Sequence, residues 1–452
     1  MNRIDEFQKY VRLATRNNRI DPAAFSRYDI KRGLRNNDGT GVLVGLTQIG
    51  DVHGYIVDEN EKVPVDGRLR YRGFDIKELS SSFLEEKRFG FEEIVFLLLF
   101  GELPQKEELA EFTRLLGEKR FLPDGFTEDM ILKAPSNNIM NKLARSVLAA
   151  YSYDDNPDEQ TVENYLRQSI QLIAWFPTFV AYAFQAKEHY YNNKTLVIHS
   201  PDPEKSTSEN LLMLIRADRK YTPLEAELLD LALVLHAEHG GGNNSTFSIH
   251  LISSADTDTY SAVAAAIGSL KGAKHGGANI KVLRMMEDIK QNVKDWGDEN
   301  QVYDYLAKII NKKTFDRTGL IYGMGHAVYT YSDPRAVILK EKAKELAKEK
   351  GASDEYELYT LVEKLTPKVF HDIKNSNKII SANVDFYSGF VYSLLGIPSD
   401  LYTPIFAIAR IAGWSAHRIE ELINGGRIMR PAYKHISQEK KDLLPLAERN
   451  QE

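Results

Sequence analysis

A mostly α-helical protein is predicted by three features of this chain. Almost every strong apolar pattern repeats with the helical period. The one stretch that alternates instead, Gly54 to Asp75, is short enough for a minor β-hairpin near the N-terminus. Hydrophobic residues make up 43% and charged residues 27% of 452 positions. That balance belongs to a soluble globular enzyme of two or three domains, not to a disordered chain.

Residues 1 to about 50 carry helical patches and no assigned chemistry. In Gly54–Asp75 the Asp58-Glu59-Asn60 and Asp66-Gly67 sequences read as turns. FEEIVFLLLFGELP predicts a helix ending at Gly101 and Pro104, and EELAEFTRLLGEKR predicts the next. Leu172 to Phe184 is the most apolar run; too short to span a bilayer and interrupted by Pro177, it reads as a buried helix. Thr222 and Glu225 write a capping box with Pro223 at the first helical position. Leu224, Leu228, Leu231 and Leu235 then mark one helical face. That helix runs out into His236, Ala237, Glu238, His239 and three glycines, with Asn243, Asn244, Ser245 and Thr246 expected in a polar loop.

The small-residue run SAVAAAIGSL predicts a helix stopping at Gly272, and His275-Gly276-Gly277 leads into another near Ala278. Helices continue through Ile310. A charged helix from Ala336 to Lys350 ends at Gly351, and another is expected before Pro367. A short apolar stretch delivers Asn383-Val384-Asp385, and Thr403-Pro404 opens an apolar helix ending at Gly425-Gly426. Arg427, Arg430 and Pro431 lie in the tail.

Composition narrows the function. A formal net charge of −6 gives no reason to expect nucleic acid as a partner. With 0 cysteines there is no disulfide, thiolate metal site or cysteine nucleophile. Any thioester chemistry would leave the acyl group on its own carrier. The opening MNRIDEFQKY lacks the apolar core of a secretory signal, so the expected location is cytoplasmic, without membrane attachment. Neither a phosphate-loop nor a full GxGxxG pattern occurs.

Chemistry concentrates in Gly323 to Arg335, GMGHAVYTYSDPR. Its glycines let backbone approach a bulky ligand, and His326 follows at once. Asp333 and Pro334 open a helix whose first turn holds Arg335, a favourable place for an anion. His239, His275 and Asp385 likewise stand at helix ends or beside glycines, where rigid elements can aim them into one cleft. Before a helix, His275 is expected to stay neutral and donate to an oxyanion, or else simply to cap backbone. Asp385 is a turn-former or a weak base that needs a dry site. Arg410 is the only polar side chain from Ile405 through Gly413. It either pairs with an acid or waits for a ligand. Arg335 and Arg430 are further candidates for gripping a carboxylate. His236 and His239 lack HExxH spacing and an evident third ligand, so no metal is expected.

Six pieces in order, LRYRGFDI, FEEIVFLLLFGELP, LHAEHGGGNNSTFS, KGAKHGGAN, GMGHAVYTYSDPR and NVDFYSG, resemble citrate synthase from about Leu69 to about Pro431. The resemblance implies a two-domain, nearly all-helical homodimer. Residues 1–276 and 396–452 would form the large domain and 277–395 a smaller mobile one. It implies condensation of acetyl-CoA with oxaloacetate and thioester hydrolysis to citrate and CoA, with no cofactor beyond the CoA thioester substrate. Asp385 resembles the base, His275 the donor to the thioester oxygen, and His326 the group polarising the oxaloacetate carbonyl. His239, Arg335 and Arg410 match oxaloacetate-binding residues, and Arg430 matches an arginine reaching into the partner's site. Tyr322, Gly323, Met324 and Gly325 resemble the segment meeting the adenine of CoA. Two positions depart: Thr330 stands where many relatives carry Lys or Arg, and Ala382 where Pro is common. The runner-up is 2-methylcitrate synthase acting on propionyl-CoA; a metal-dependent hydrolase and a non-catalytic acyl-CoA or dicarboxylate sensor are more remote.

Overall fold

The computed structural model describes residues 3–36, 38–58, 61–326, 328–376, 379–437 and 445–448. Residues 1–47 form one compact unit and residues 48–452 another. The first holds α1 (Arg3–Asn17) and α2 (Pro22–Arg27), the latter capped by Asp21 with proline at its start.

The second unit opens with a three-stranded antiparallel sheet in the order β1 (Gly50–Asp58), β2 (Glu61–Tyr71) and β3 (Phe74–Asp75). Val52 faces Leu69 and Tyr55 faces Pro64, with an irregularity between His53 and Tyr55. The first expected turn reaches Glu59 and Asn60, which lie outside the described residues. The second is corrected. Asp66-Gly67 sits inside β2, and the chain turns at Arg72-Gly73, where φ is 50° and 90°. Gly67 answers a close approach instead: a Cβ there would stand 2.1 Å from the Ser332 carbonyl oxygen. Gly67→Ala is therefore expected to lose about 1–3 kcal/mol of stability by overpacking. Thermal unfolding would read this as a lower Tm, and an unchanged Tm would mean the Ser332 segment can retreat at no cost.

Helices then dominate. α3 (Ile76–Glu85), α4 (Phe91–Phe100), α5 (Lys106–Glu118), α6 (Ile139–Ala150), α7 (Val162–Asn192), α8 (Thr207–Ile215) and α9 (Pro223–His236) build the first half. α4 stops at Gly101 in the left-handed region, φ 87°, as its glycine predicts. α7 absorbs Pro177 and is buried from Leu172 through Glu188, packing against α6 and α8. α9 carries the expected Thr222–Glu225 capping box, but its burial runs almost all round and not along one leucine face. The Tyr71 hydroxyl sits among the Val234, Leu235 and Glu238 carbonyls at 3.0–3.3 Å, fixing the end of α9.

α10 (Asn244–Ser253) is a second correction, because Asn244, Ser245 and Thr246 are its first turn and not a polar loop. Asn243 is the cap, its side chain accepting from Ser245 N–H. α11 (Thr259–Lys271), α12 (Ala278–Asn292), α13 (Glu299–Ile310) and α14 (Pro334–Glu349) follow as read. α15 (Ser353–Lys374) runs through Pro367, which was expected to lie beyond it. The turn before the proline is held by Thr366 Oγ1, which donates to the Val362 carbonyl at 2.6 Å. α16 (Val384–Leu394) and α17 (Tyr402–Ile423) complete the unit, α17 being packed against α4, α7, α9, α10 and α11. Among the described residues no helix is long and apolar enough to cross a membrane.

Candidate active site

Glycines and one aspartate shape the loop from Gly323 to Arg335. Gly323 and Gly325 take φ of 77° and 89°, and a Cβ on Gly323 would stand 2.8 Å from both Phe386 and Val282. This backbone zips onto the stretch before α16. Gly325 N–H donates to Ser381 O at 2.7 Å, Asn383 N–H to Gly323 O at 2.9 Å, and Asn383 Nδ2 to Gly325 O at 2.8 Å. Asp333 adds a second tie. It caps α14, holds Arg335 through two bonds of 3.0 and 2.8 Å, and accepts from Val384 N–H at 3.1 Å. His326 and Asp385, distant in sequence, are thereby set on one rigid frame.

The frame fixes proton positions. His326 Nδ1 accepts from Val328 N–H at 3.1 Å and Tyr329 N–H at 3.2 Å, so a neutral ring carries its proton on Nε2. His326 stacks on Tyr329 with centroids 4.7 Å apart and meets His239 nearly edge-on at 5.3 Å. Burial first, then the Arg335 charge, pushes His239 well below the usual imidazole range. Its Nε2 is buried without a partner.

His275 lies in the turn before α12, its Nε2 3.1 Å from Ser245 Oγ. Its pKa falls to about 4, through burial first and the Arg410 charge second. Neutrality was expected from the helix start; these two causes carry it here. Asp385, in the first turn of α16, rises to about 6 because burial outweighs the attraction of Arg335 and Arg410. It is a stronger base than an ordinary aspartate.

Arg410 on α17 is fully buried, Nε donating to the His236 carbonyl at 2.7 Å while Nη1 and Nη2 have no acceptor. Burial lowers its pKa to about 10, with Glu238 opposing. Of the two expected fates, ion pair or ligand clamp, the first is not met among the described residues, where Arg410 Nη1 and Nη2 have no acceptor. His239, His275 and Asp385 all feel this one charge. Since Coulomb terms fade with distance, all three lie in the neighbourhood of the Arg410 guanidinium.

Arg430 is not brought in within one chain; it lies exposed beyond α17. Tyr322 is half-buried, donating to Asp316 Oδ2 at 2.5 Å, with the Lys281 ammonium 5.0 Å from its ring centre. His236 stacks on Phe406 at 4.2 Å, and among the described residues no three His, Cys, Asp or Glu side chains group to hold a metal. Sequence reasoning missed Tyr329, buried between His326, His239 and Arg335, although it lies within the same loop motif. It also missed Ser245 as the partner of His275, and Trp414, whose Nε1 donates to Ser245 Oγ at 3.2 Å.

Imidazoles held neutral, a carboxylate of raised pKa and a buried cation with two open nitrogens are the groups that acid–base chemistry beside an anion requires. Residues 38–432 match the family described as citrate synthase, C-terminal domain, and the chain belongs to the citrate synthase family. It is 34% identical to the citrate synthase of Haloferax volcanii over 427 residues, 93% of this chain and 99% of that protein. A 2-methylcitrate synthase of Shewanella oneidensis is 30% identical over 384 residues, 84% of this chain and 92% of that one. Among solved structures, the citrate synthase of the thermophilic archaeon Thermoplasma acidophilum superposes with a TM-score of 0.75 at 25% identity, covering 93% of this chain and 99% of that one. That structure is a ternary complex with carboxymethyl coenzyme A and oxaloacetate. The protein is an acyl-CoA condensing enzyme with the mostly helical fold of this family.

Proposed function

We propose that this enzyme condenses acetyl-CoA with oxaloacetate and hydrolyses the citryl thioester to citrate and CoA. The observation that carries the reading is the buried Arg410, whose two free nitrogens match a carboxylate and whose charge reaches Asp385, His275 and His239 together. Asp385 takes a proton from the acetyl methyl carbon. His275 gives a hydrogen bond to the thioester oxygen as charge builds there. The new carbon–carbon bond forms at the keto carbon of oxaloacetate, polarised by His326 Nε2–H, which then protonates the alkoxide. His239, Arg335 and Arg410 hold the dicarboxylate, and the Tyr322–Gly325 backbone faces the adenine of CoA. Residues 277–395 act as the smaller mobile domain, closing on the remainder to exclude water. The working unit is a homodimer in which exposed Arg430 completes the partner's site.

The Shewanella relative motivates a second reading, 2-methylcitrate synthesis from propionyl-CoA. One methylene is worth about 1–3 kcal/mol in a pocket. CoA release read with a thiol reagent decides, and 0 cysteines give no protein background. A higher kcat/KM with acetyl-CoA is expected. The opposite ratio would establish the second reading, and no release with either thioester would overturn both.

His275 must donate from Nδ1, so Ser245 turns its hydroxyl onto Nε2 and away from Asn243 Oδ1, 2.9 Å distant. Ser245→Ala is expected to lower kcat about 2- to 10-fold, the worth of one hydrogen bond, with oxaloacetate KM little changed. Steady-state kinetics would check it; an unaltered kcat would release Ser245 from this role.

A further inference from the structure

A line of four titratable side chains leads away from the site and is unused by the chemistry above. Glu238, between Ala237 and His239, is fully buried. Its Oε1 accepts from Gly240 N–H and lies 3.2 Å from His417 Nε2, while Oε2 has no partner. Two glycines make room for it: a Cβ on Gly50 would stand 2.7 Å from Oε1, and one on Gly413 2.2 Å from Oε2. His417 Nδ1 faces His250 Nε2 at 3.1 Å, and His250 Nδ1 faces Glu421 Oε2 at 2.8 Å. Side-chain exposure climbs along the line, from 0% at Glu238 and His417 to 12% at His250 and 18% at Glu421. Among the described residues, other charged or titratable groups facing it include Arg410, Tyr71 and Arg72 near Glu238, and Glu420 near His417 and His250.

Each of the three gaps in this line needs one proton, because facing lone pairs repel and facing N–H groups clash. Satisfying all of them leaves one movable proton, resting on Glu421, His250, His417 or Glu238, with a single net negative charge throughout. At its inner end the line meets Arg410, for which Glu238 is the foremost opposing charge. That carboxylate balances the arginine while the site is empty. Once an anion occupies Nη1 and Nη2, the same carboxylate repels it.

We infer that Glu238 is a positioning residue whose charge follows occupancy: ionised against Arg410 in the empty site, and protonated through Glu421, His250 and His417 when a dicarboxylate binds. Every hop breaks one N–H or O–H bond and makes another at the next group, so no outside acid is consumed. The inference rests on the oxaloacetate reading proposed above.

Infrared difference spectra on adding oxaloacetate test it, together with calorimetric Kd values. Wild type is expected to gain the band of a fully buried protonated carboxyl, alone or in exchange for a distinct Glu421 band, and the gained band should move when the protein, and not the ligand, carries carbon-13. Glu238→Gln, a neutral mimic of the occupied state, should lose that band and bind oxaloacetate at least as tightly as wild type. His417→Gln keeps an N–H toward Glu238 but relays no proton; it should lose the band and bind roughly tenfold more weakly. Two outcomes would overturn the inference alone: no band in wild type, or equal weakening in both variants, which is what a merely structural carboxylate gives. If oxaloacetate fails to bind wild type at all, the reading of the site falls and this inference falls with it.

Discussion

Asp385→Asn is expected to lower CoA release about a hundred- to ten-thousandfold, the range a positioned general base supplies. Oxaloacetate binding should survive, because Asn383 and Asp333 hold the start of α16 through backbone N–H groups that the substitution leaves in place. In the role proposed for it, Asp385 must be ionised to work. With Asp385 at about 6, kcat/KM should fall about tenfold per pH unit below that value. His275, neutral above about 4, adds no second acid limb near there. Turnover by the variant within a few-fold of wild type would remove Asp385 from the role.

The same substitution has a stability signature of opposite sign. Folding raises the pKa of Asp385, so the folded chain holds a proton that the unfolded chain has lost between about 3.8 and about 6. The contribution to stability is thus fully present below the lower value and disappears as pH rises through the upper one. Above it, the ionised, half-buried carboxylate costs on the order of 3 kcal/mol. Asp385→Asn should accordingly unfold at a higher temperature than wild type at pH 7, with the gain shrinking below pH 4. A variant less stable than wild type at pH 7 would show that the carboxylate is better solvated than its position implies.

Local signals were legible where local chemistry made them. The capping box at Thr222, the Asp333-Pro334 helix start, the Gly101 stop and the glycines at 323 and 325 each act within a few residues of themselves. Misreadings arose where a distant partner decided. Gly67 has the sequence look of a turn, yet its need for glycine comes from the Ser332 carbonyl, far along the chain. Asn243 to Thr246 is polar enough for a loop, but Asn243 caps α10 and Asn244 to Thr246, with Ser245 and Thr246 buried, form its first turn. In the sequence Glu238 is one residue in the run that leaves α9; only the fold lays Gly50, Gly413 and His417 around it. The glycine loop and the histidines announced a site, while Tyr329 and Ser245 became visible as members only once their partners stood beside them.

Arg410→Ala bears most directly on what the fold has been built to hold. A guanidinium with two nitrogens lacking acceptors, fully enclosed on α17, is a poor contributor to stability. Its retention makes sense if a ligand satisfies it. Losing one partner of a buried, hydrogen-bonded charge pair costs about 2–5 kcal/mol, so oxaloacetate Kd should rise between about 30-fold and a few thousandfold. Acyl-CoA KM at saturating oxaloacetate should change far less, because in the proposed reaction the arginine grips the dicarboxylate and not the thioester. The free variant should also lose some stability: the His236 carbonyl is left without its donor and Glu238 without its balancing charge. Calorimetry with oxaloacetate and steady-state kinetics with each substrate varied in turn separate these effects. If only the acyl-CoA KM moved, the guanidinium would belong to the thioester side of the cleft, and the carboxylate clamp would have to be assigned to Arg335 and Arg430 without it.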